Sequence, residues 1–416
     1  MVDLVAPPMS GHLHPILGIA RRLAQDTEVR VISTASAQAE IRAAGLRGHL
    51  LLAGHDERIH EATHLAGPVR SRPWRLHAKF RDALVVLERV HAELLELWRD
   101  SRPRLVIADF LLPVAGSAAI ASRLPWWTTI PSPCAIETPD GPPGYLGGLT
   151  PARGQLGGLR DAAGRRAIRV FKRAIHWRHR HTMRRLGFPA LYRADGSEAT
   201  YSPDRVLALS LEALEFPRTY PPAVEFVGPV LYTPPADTPP PPFRDGRQHV
   251  LVTLGTHLAW RREAVAAAVQ HAARELPSIE FHISDGNRTS QACVSNQNVH
   301  RIGFVSYLRD LSRYQAVIHH GGAGVLAHTL AAGAPALVLP ADHDQFDHAA
   351  RLEVAGVGIR VRRLGDLPRL INRLLNDSDL KARCAQLQAT ILASRAEERV
   401  AANVAGAFPV TGVSRP

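Results

Sequence analysis

The fold of this chain is decided by one stretch, Val317-Ile318-His319-His320-Gly321-Gly322-Ala323-Gly324-Val325. An apolar, strand-like run leads directly into glycines, and a helical pattern follows through Ala332. Glycines let the backbone approach a ligand closely, and the free NH groups and dipole of a following helix favour an anion. A tight strand-to-helix turn without a ligand shows the same pattern. The stretch therefore predicts a buried strand and a helix, with a diphosphate as one candidate ligand at the turn.

Apolar runs of four to eight residues alternate with helical patterns on both sides of this stretch, which indicates parallel strands joined by crossover helices. The predicted strands of the first half are 2–6, 29–33 and 105–108, with helices at 16–23 and 114–121. The predicted strands of the second half are 249–253, 279–283, 316–319, 336–339 and 357–361, with a helix at 263–276. The fold class is therefore α/β, with two doubly wound, Rossmann-like parallel-sheet domains.

A proline-rich segment separates the two halves. Repeated prolines between Pro234 and Pro242 forbid a helix and remove ladder donors. We therefore predict an N-terminal domain at 1–232, a linker at 233–248 and a C-terminal domain at 249–395. Residues 396–416 form a helix and tail that could return to the N-terminal domain. Because open parallel sheets bind ligands at the carboxyl ends of their strands, we expect the site in the cleft between the domains.

A second polar group follows the next strand of the C-terminal half. The run 333–340 reads GAPALVLP, and Asp344 and Gln345 then open another helical pattern. A carboxylate and an amide at a strand end can bind several sugar hydroxyls at once. As an isolated pair they are more typical of a helix cap. Their position after a glycine-rich turn favours a binding role.

The first strand of the chain is followed by the sequence Gly11-His12-Leu13-His14-Pro15, and we predict that the first helix starts near His14. A histidine at the carboxyl end of the first strand lies at the cleft, and imidazole titrates near neutrality, so it can act as a general base. Its expected partner is a carboxylate, which Asp109 supplies at the end of another buried strand. Asp109 could instead cap the helix beginning near Pro113, and His14 is a second candidate base.

The bulk properties exclude several classes of protein. The net charge of +12 comes mostly from dispersed arginine, without an aromatic-interleaved basic motif, so we expect no nucleic-acid partner. The three cysteines form neither a disulfide framework nor a metal knuckle. No run is long and apolar enough to span a bilayer, and no signal-peptide pattern opens the chain. We therefore expect a cytoplasmic protein, as a monomer or homodimer.

The C-terminal half resembles the donor-binding signature of the UDP-glycosyltransferase superfamily, above all of its bacterial branch that glycosylates antibiotics, macrolides and carotenoids. The resemblance is carried by His320-Gly321-Gly322-Ala323-Gly324, Gly333-Ala334-Pro335, Pro340, Asp344-Gln345 and Gly356-Val357-Gly358. It implies the GT-B fold, in which two domains face each other across a cleft. It also implies inverting transfer of a sugar from a UDP- or dTDP-sugar to a hydroxyl of a small lipophilic acceptor, with no metal or other cofactor.

The resemblance assigns roles to particular residues. His12, in a GHxxP motif, is the implied catalytic base, and Asp109 orients it. Asp344 and Gln345 are the implied sugar contacts, and Phe304 stacks on the nucleobase. The implied diphosphate contacts are Gly255, Thr256, His320, Gly322, Ala323, Gly324 and Val325. The chain departs from the family at three donor positions, since Val325 replaces a hydroxyl residue, His328 replaces the glutamate that binds ribose, and Ser306 with Tyr307 replaces a Pro-Gln pair beside the base.

The acceptor side is less specified. Trp126, Trp127 and Tyr145 are predicted to line its pocket. Residues 160–186 form a basic amphipathic pattern, which predicts either a helix that covers the N-terminal core or a weak contact with an anionic membrane surface. The triplet Asp342-His343-Asp344 resembles a metal-binding DxD motif, but Asp344 already belongs to the Asp-Gln pair, so no metal is expected.

Two other functions fit the same fold. A sugar-nucleotide epimerase or hydrolase needs cleft carboxylates that act on the donor itself. A non-catalytic sugar-nucleotide-binding protein needs the donor site alone, and the presence of both His12 and Asp109 argues against it.

Overall fold

A computed structural model describes residues 1–54, 73–152, 154–235, 238–255 and 258–408. The first sheet has seven parallel strands. Their bounds are β1 Val2–Val5, β2 Val29–Thr34, β3 Gly48–Leu51, β4 Leu105–Asp109, β5 Trp126–Ile130, β6 Val206–Ala208 and β7 Val224–Phe226. The strand order is β3-β2-β1-β4-β5-β6-β7, so the chain reverses direction across the sheet beside β1 and β4. Ligands of such sheets bind at this reversal, beyond the carboxyl ends of the strands.

The helices of the first half pack on both faces of this sheet. Their bounds are α1 Ser10–Leu23, α2 Gln38–Ala43, α3 Pro73–Asp100, α4 Pro113–Ala121, α5 Gly154–Arg178 and α6 Arg180–Arg185. One core lies between the sheet and α1, and a second lies between the sheet, α3 and α4. Because both faces are covered, β1, β4 and β5 are buried at every residue.

The second sheet also has seven strands. Their bounds are β8 Gln248–Thr253, β9 Ile279–Ser284, β10 Cys293–Asn296, β11 Val299–Ile302, β12 Ala316–His319, β13 Ala336–Val338 and β14 Gly358–Arg360. The strand order is β10-β11-β9-β8-β12-β13-β14, and only the pairing of β10 with β11 is antiparallel among these described strands. The helices of this half are α7 Arg262–Glu275, α8 Tyr307–Asp310, α9 Ala323–Ala331, α10 Gln345–Ala355, α11 Leu367–Asn376, α12 Ser378–Ser394 and α13 Ala396–Ala407.

The predicted fold class of two parallel-sheet α/β domains agrees with this architecture. The prediction for the start of the first helix was wrong, since α1 begins at Ser10 and contains Pro15. His12 therefore lies in the first turn of a helix, with its backbone NH bonded to the Met9 carbonyl at 2.9 Å. This position fixes the direction of the side chain more firmly than a loop does.

The chain passes between the two domains twice, first through the linker and again just before α13. The described residues between Thr233 and Arg247 contain no helix or strand. The final helix, α13, packs on α1, where Val400 and Val404 join the N-terminal core and Glu398 binds Arg22 at 2.6 Å. Within the described residues, no helix combines the length and the apolar character needed to cross a membrane.

Candidate active site

A cavity of about 690 Å³ lies between the two domains. The N-terminal domain contributes the loop after β1, the first turns of α1, and parts of α3 and of the loop after β5. The C-terminal domain contributes the loops after β8, β9 and β11, the start of α9 and the turn before α10. The cavity therefore lies at the carboxyl ends of both sheets, where the sequence predicts the site.

His12 and Asp109 meet at the N-terminal wall of this cavity. The Nδ1 atom of His12 lies 3.1 Å from Oδ2 of Asp109. The two residues come together because β1 and β4 are neighbours, with Val5 paired to Ala108. The other carboxylate oxygen of Asp109 accepts a hydrogen bond from the backbone NH of Leu111 at 3.0 Å. Asp109 is buried behind the imidazole, and His12 faces the cavity.

The environment of His12 shifts its pKa upward. Burial lowers the pKa of the imidazole, but the charge and hydrogen bond of Asp109 raise it, and the carboxylate of Asp344 across the cavity adds to this effect. The net result is a pKa above the ordinary value of 6.5. With Nδ1 directed at Asp109, the neutral tautomer presents Nε2 to the cavity as a proton acceptor.

His14, the second candidate base, belongs to a different network. Its Nε2 atom lies 2.8 Å from Oε2 of Glu40, and Glu40 also contacts Arg288 of the C-terminal domain at 3.4 Å. Arg288 donates to the backbone carbonyls of Pro234 and Pro235 in the linker. Burial raises the pKa of Glu40, but His14 and Arg288 together hold it below its usual range. His14 therefore takes part in a contact between the domains.

The predicted anion site has the geometry that the sequence indicates. β12 ends at His319, and α9 begins at Ala323 after Gly322, with no side chain capping its first turn. The first NH groups of a helix have no partner within the helix, so this end of α9 presents donors to the cavity. The ring of His320 lies between two glycines, because a Cβ atom at Gly255 would lie 2.9 Å from it and one at Gly322 would lie 2.5 Å from it.

Asp344 and Gln345 lie beside this end of α9. Gln345 is the first residue of α10, and its Oε1 accepts hydrogen bonds from the backbone NH groups of Ala341 at 2.8 Å and Asp342 at 3.2 Å. These bonds orient the amide so that its nitrogen remains as the donor. Asp344 accepts a hydrogen bond from the Ser132 hydroxyl of the opposite domain at 2.5 Å. Both residues line the cavity, as predicted.

Three aromatic or imidazole side chains line the C-terminal side of the cavity, which is the proposed donor half. Phe304 lines the cavity with the guanidinium of Arg288 above its ring, at 5.2 Å from the ring centre. The ring of Tyr307 lies 5.5 Å from that of His328, and its hydroxyl lies 3.2 Å from Oγ1 of Thr253. Burial lowers the pKa of His328 to about 4, so this imidazole is neutral at physiological pH.

The N-terminal side of the cavity, which is the proposed acceptor half, has an apolar wall that the sequence did not reveal. It is formed by α3 and by the loops after β3 and β4, with Ala83, Val86, Leu87, Val90, Leu51, Leu52, Leu111 and Leu112. Along the chain, the apolar positions of α3 look like an ordinary core-facing helix. Which of them face a cavity depends on how α3 packs, so periodicity cannot identify them. Glu40 and Arg288 were missed because no sequence pattern shows that they meet across the cleft.

The structure corrects two of the predicted acceptor contacts. Tyr145 lines the cavity, but Trp126 and Trp127 do not. Both tryptophans lie in β5, where Trp126 packs against α4 beside Gly116 and Trp127 packs in the core on the α1 side. Successive side chains of a strand point to opposite faces, and both faces of this sheet are covered. Thr256 lies outside the described residues.

The Asp342-His343-Asp344 triplet is not arranged as a cluster of ligands. His343 is exposed with a φ of 53°, and Asp344 is directed at Ser132. In the part of the chain that the structure describes, no three His, Cys, Asp or Glu side chains converge in the manner of a metal site.

Comparisons of sequence and of structure both find similar proteins from biosynthetic pathways. Residues 273–406 match the family described as Erythromycin biosynthesis protein CIII-like, C-terminal domain. The chain is 25% identical over 411 residues to 4'-demethylrebeccamycin synthase of Lentzea aerocolonigenes. This match covers 93% of this chain and 94% of that protein. The solved structure of the glycotransferase of kitacinnamycin superposes with a TM-score of 0.76 at 20% identity, over 98% of this chain and 99% of the other. The glycosyltransferase VinC, solved in complex with dTDP, gives a TM-score of 0.67 at 20% identity, over 98% and 99% of the two chains.

These matches agree with the two facing sheets and with the cavity between them. The solved structures establish the fold, and the sequence relatives establish the class of enzyme. The predicted fold and class of enzyme are therefore confirmed. The chain is a nucleotide-sugar glycosyltransferase of the GT-B fold, and the proteins to which it is similar are bacterial enzymes of natural-product biosynthesis.

Proposed function

We propose that this enzyme transfers a sugar, with inversion and without a metal ion, from a UDP- or dTDP-sugar to a hydroxyl group of a small apolar acceptor. The observation that carries the proposal is the His12–Asp109 pair, which faces the cavity from one domain while His320, Asp344 and the start of α9 face it from the other. A base and an anion site on opposite walls are what a direct displacement requires.

The reaction begins at His12. Its Nε2 takes the proton of the acceptor hydroxyl as the oxygen attacks the anomeric carbon of the donor sugar. The new carbon–oxygen bond forms as the bond to the diphosphate breaks, and the electron pair leaves with the diphosphate. Asp109 holds the imidazole in the required tautomer and stabilises its protonated form. A single displacement of this kind inverts the configuration at the anomeric carbon.

The donor half stabilises the leaving group. The NH groups at the start of α9 and the His320 side chain receive the negative charge that develops on the diphosphate. Asp344 and the amide nitrogen of Gln345 bind the sugar hydroxyls, and Phe304 stacks on the base. VinC, a structural neighbour, binds dTDP, which supports a nucleoside diphosphate at this position.

The acceptor half selects for apolar molecules. Its wall of α3 side chains offers few hydrogen-bonding groups, so affinity there comes from burial of apolar surface. Tyr145 and Ser10 are polar groups at its edge. The match to 4'-demethylrebeccamycin synthase over nearly the whole of both chains supports a natural product as the acceptor class.

The decisive test compares His12→Ala with His14→Ala, two histidines in the same helix. His12→Ala is expected to lower kcat by about 10²–10⁴-fold, since this is the usual contribution of a general base. His14→Ala is expected to keep kcat within about tenfold, because His14 contacts Glu40 rather than Asp109. Calorimetry should show that both variants still bind the nucleotide donor.

Three results would contradict the proposal. Full activity of His12→Ala would remove the assigned base. Donor cleavage at the same rate with and without any acceptor would indicate a hydrolase. Retention of the configuration at the anomeric carbon, determined by NMR of the product, would exclude the single displacement.

A further inference from the structure

Helix α5 exposes an apolar stripe to solvent. Five of its large apolar side chains are more than half exposed, namely Leu156, Leu159, Val170, Phe171 and Trp177. Exposed alanines at 163, 167 and 174 lie between them. At 3.6 residues per turn, these eight side chains share one face about 120° wide. We call this face the α5 stripe.

The opposite face of α5 is already used for packing. Arg169 binds Glu137 at 2.9 Å, and Lys172 binds Glu137 at 2.8 Å and Glu198 at 2.5 Å. Ile168 and Ile175 are partly buried on the same side. The helix therefore contacts the domain with a face of mixed polar and apolar side chains, and it exposes its main apolar face outward. The prediction that the apolar face covers the N-terminal core applies only to Ile168 and Ile175, since Phe171 is exposed. Contiguous exposed apolar surface of this kind marks an interaction site.

The charge around the α5 stripe is strongly positive. Residues 154–185 contain ten arginine or lysine residues and one acidic residue, Asp161, which is buried beside Arg160. The exposed side chains of Arg166 and Arg173 border the stripe, and that of Arg178 lies at its C-terminal end. A second copy of this chain would bring the same cations together without acidic partners, so self-association through the stripe is electrostatically unfavourable.

We propose that the α5 stripe docks on the surface of an anionic lipid bilayer. An amphipathic helix that lies in such a surface buries its apolar side chains at the headgroup boundary, while flanking arginines contact lipid phosphates and an interfacial tryptophan sits at headgroup depth. The stripe has all three components, and α5 is about 37 Å long, so it can lie flat on a bilayer. A convex helix face without a groove fits a planar lipid surface.

The position of α5 links the docking surface to the catalytic cavity. Arg165 donates to the carbonyl of Gly141 at 2.5 Å, and Gly164 lies against Pro143 and Leu146. These contacts hold the loop whose Tyr145 lines the cavity. A bilayer bound at the stripe therefore lies one structural layer from the acceptor half of the site.

The test is sedimentation of the whole enzyme with two kinds of vesicle. One contains phosphatidylcholine alone, and the other contains in addition about 30% of the anionic lipid phosphatidylglycerol. Binding is expected only with the anionic vesicles, and it should weaken as salt is raised. Replacing Arg166, Arg173 and Arg178 with Gln should lower partitioning about fivefold per residue and about 100-fold together. The double variant Val170→Asp/Trp177→Asp should lower it at least tenfold, roughly as expected for loss of two buried apolar side chains.

Matched controls lie in the C-terminal domain. Replacing the exposed Arg274, Arg362 and Arg373 with Gln makes the same change in net charge, and Leu392→Asp changes an exposed apolar residue of α12. Both controls should bind vesicles as the unaltered enzyme does. Since all these positions are exposed, melting curves should show that every variant folds.

Several outcomes overturn the proposal. One is equal sedimentation of the unaltered enzyme with anionic and neutral vesicles. Another is equal loss of binding in the α5 and control variants. A third is a dimer in light scattering that Val170→Asp/Trp177→Asp dissociates while no vesicle binding occurs, which would assign the α5 stripe to a second copy of the chain.

Discussion

His12 and His14 lie two residues apart in α1 yet contact different acidic partners. Two residues correspond to about 200° around a helix, so the side chains leave in nearly opposite directions. His12 meets Asp109 within its own domain, and His14 meets Glu40, which contacts the C-terminal domain through Arg288. The first turn of α1 thus carries one group for the proposed chemistry and one that contacts the interface.

The pH dependence of transfer follows from the raised pKa of His12. A base works only when it is unprotonated, so kcat/KM should fall as the pH drops through the pKa of His12, above the ordinary 6.5. Asp109→Asn removes the main group that raises this pKa, so the acidic limb should move to lower pH while the maximal rate falls about 10²–10⁴-fold. A pH profile of kcat/KM for both proteins measures this. An unchanged acidic limb in Asp109→Asn would show that His12 is not the group being titrated.

The sequence predicts polar site residues better than apolar ones. His12, Asp109, His320, Asp344 and Gln345 follow strand ends, and strand ends of parallel sheets converge, so their positions could be inferred before the structure. The tryptophans of β5 failed as acceptor contacts because a large apolar residue fits a core as well as a pocket. Only the packing of α3 shows which of its apolar side chains face the cavity.

The β12–α9 unit holds the proposed anion site. The turn between them contains His320, Gly321 and Gly322. The ring of His320 fits because neither Gly322 nor Gly255, which follows β8, has a side chain. Most strands of this domain were predicted to within one or two residues. β10 and β11 were not. The residues of β10 are exposed and pair antiparallel at the sheet edge, and His300 with Arg301 interrupts the short apolar pattern of β11, so neither strand shows a buried apolar run.

A methyl group at Gly322 should disturb donor binding specifically. Its Cβ atom would lie 2.5 Å from Nε2 of His320, so the ring must leave its position. We expect Gly322→Ala to raise the donor KM at least tenfold, corresponding to a lost charge-assisted hydrogen bond of about 1.5–3 kcal/mol. Steady-state kinetics with varied donor measures it. Gly365→Ala, where a Cβ atom meets open space, is the control, and an equal KM in both variants would contradict this role for Gly322.

At the scale of the whole molecule, the domains are joined by polar contacts around α10. Besides the Ser132–Asp344 bond, the backbone NH of Tyr145 donates to Asp347 at 2.8 Å, and Arg351 binds Glu215 at 2.7 Å. Arg351 and Glu215 are both almost fully buried. Burial raises the pKa of Glu215, but the opposing effect of the Arg351 charge is part of a larger lowering. The net pKa of Glu215 is below its ordinary value, so the carboxyl stays ionised.

Removing the charge of Glu215 should therefore destabilise the protein. Glu215→Gln leaves the buried Arg351 without its counter-ion, and we expect a loss of about 3–5 kcal/mol in the free energy of unfolding. Because the pKa of Glu215 is lowered in the folded state, this contribution is present above the unfolded pKa and is lost as the pH falls through the folded pKa.

Urea unfolding at several pH values measures the effect. The matched control is Glu263→Gln, which removes an exposed carboxylate paired with Arg301 and should cost under about 1 kcal/mol. Equal losses in the two variants, or a loss in Glu215→Gln that does not shrink in acid, would contradict the assigned ion pair.

The return of the chain to the N-terminal domain has a mechanical consequence. The second crossing, at Arg395 between α12 and α13, lies against the segment just before the linker, because a Cβ atom at Gly228 would overlap Ser394. The second crossing and the segment that leads into the linker therefore lie side by side, and a rotation of one domain against the other would have this pair as its pivot. Rotation about this pivot displaces each atom in proportion to its distance from it. Opening of the cleft by such a rotation would separate Ser132 from Asp344, whose hydrogen bond joins the two domains across the cavity.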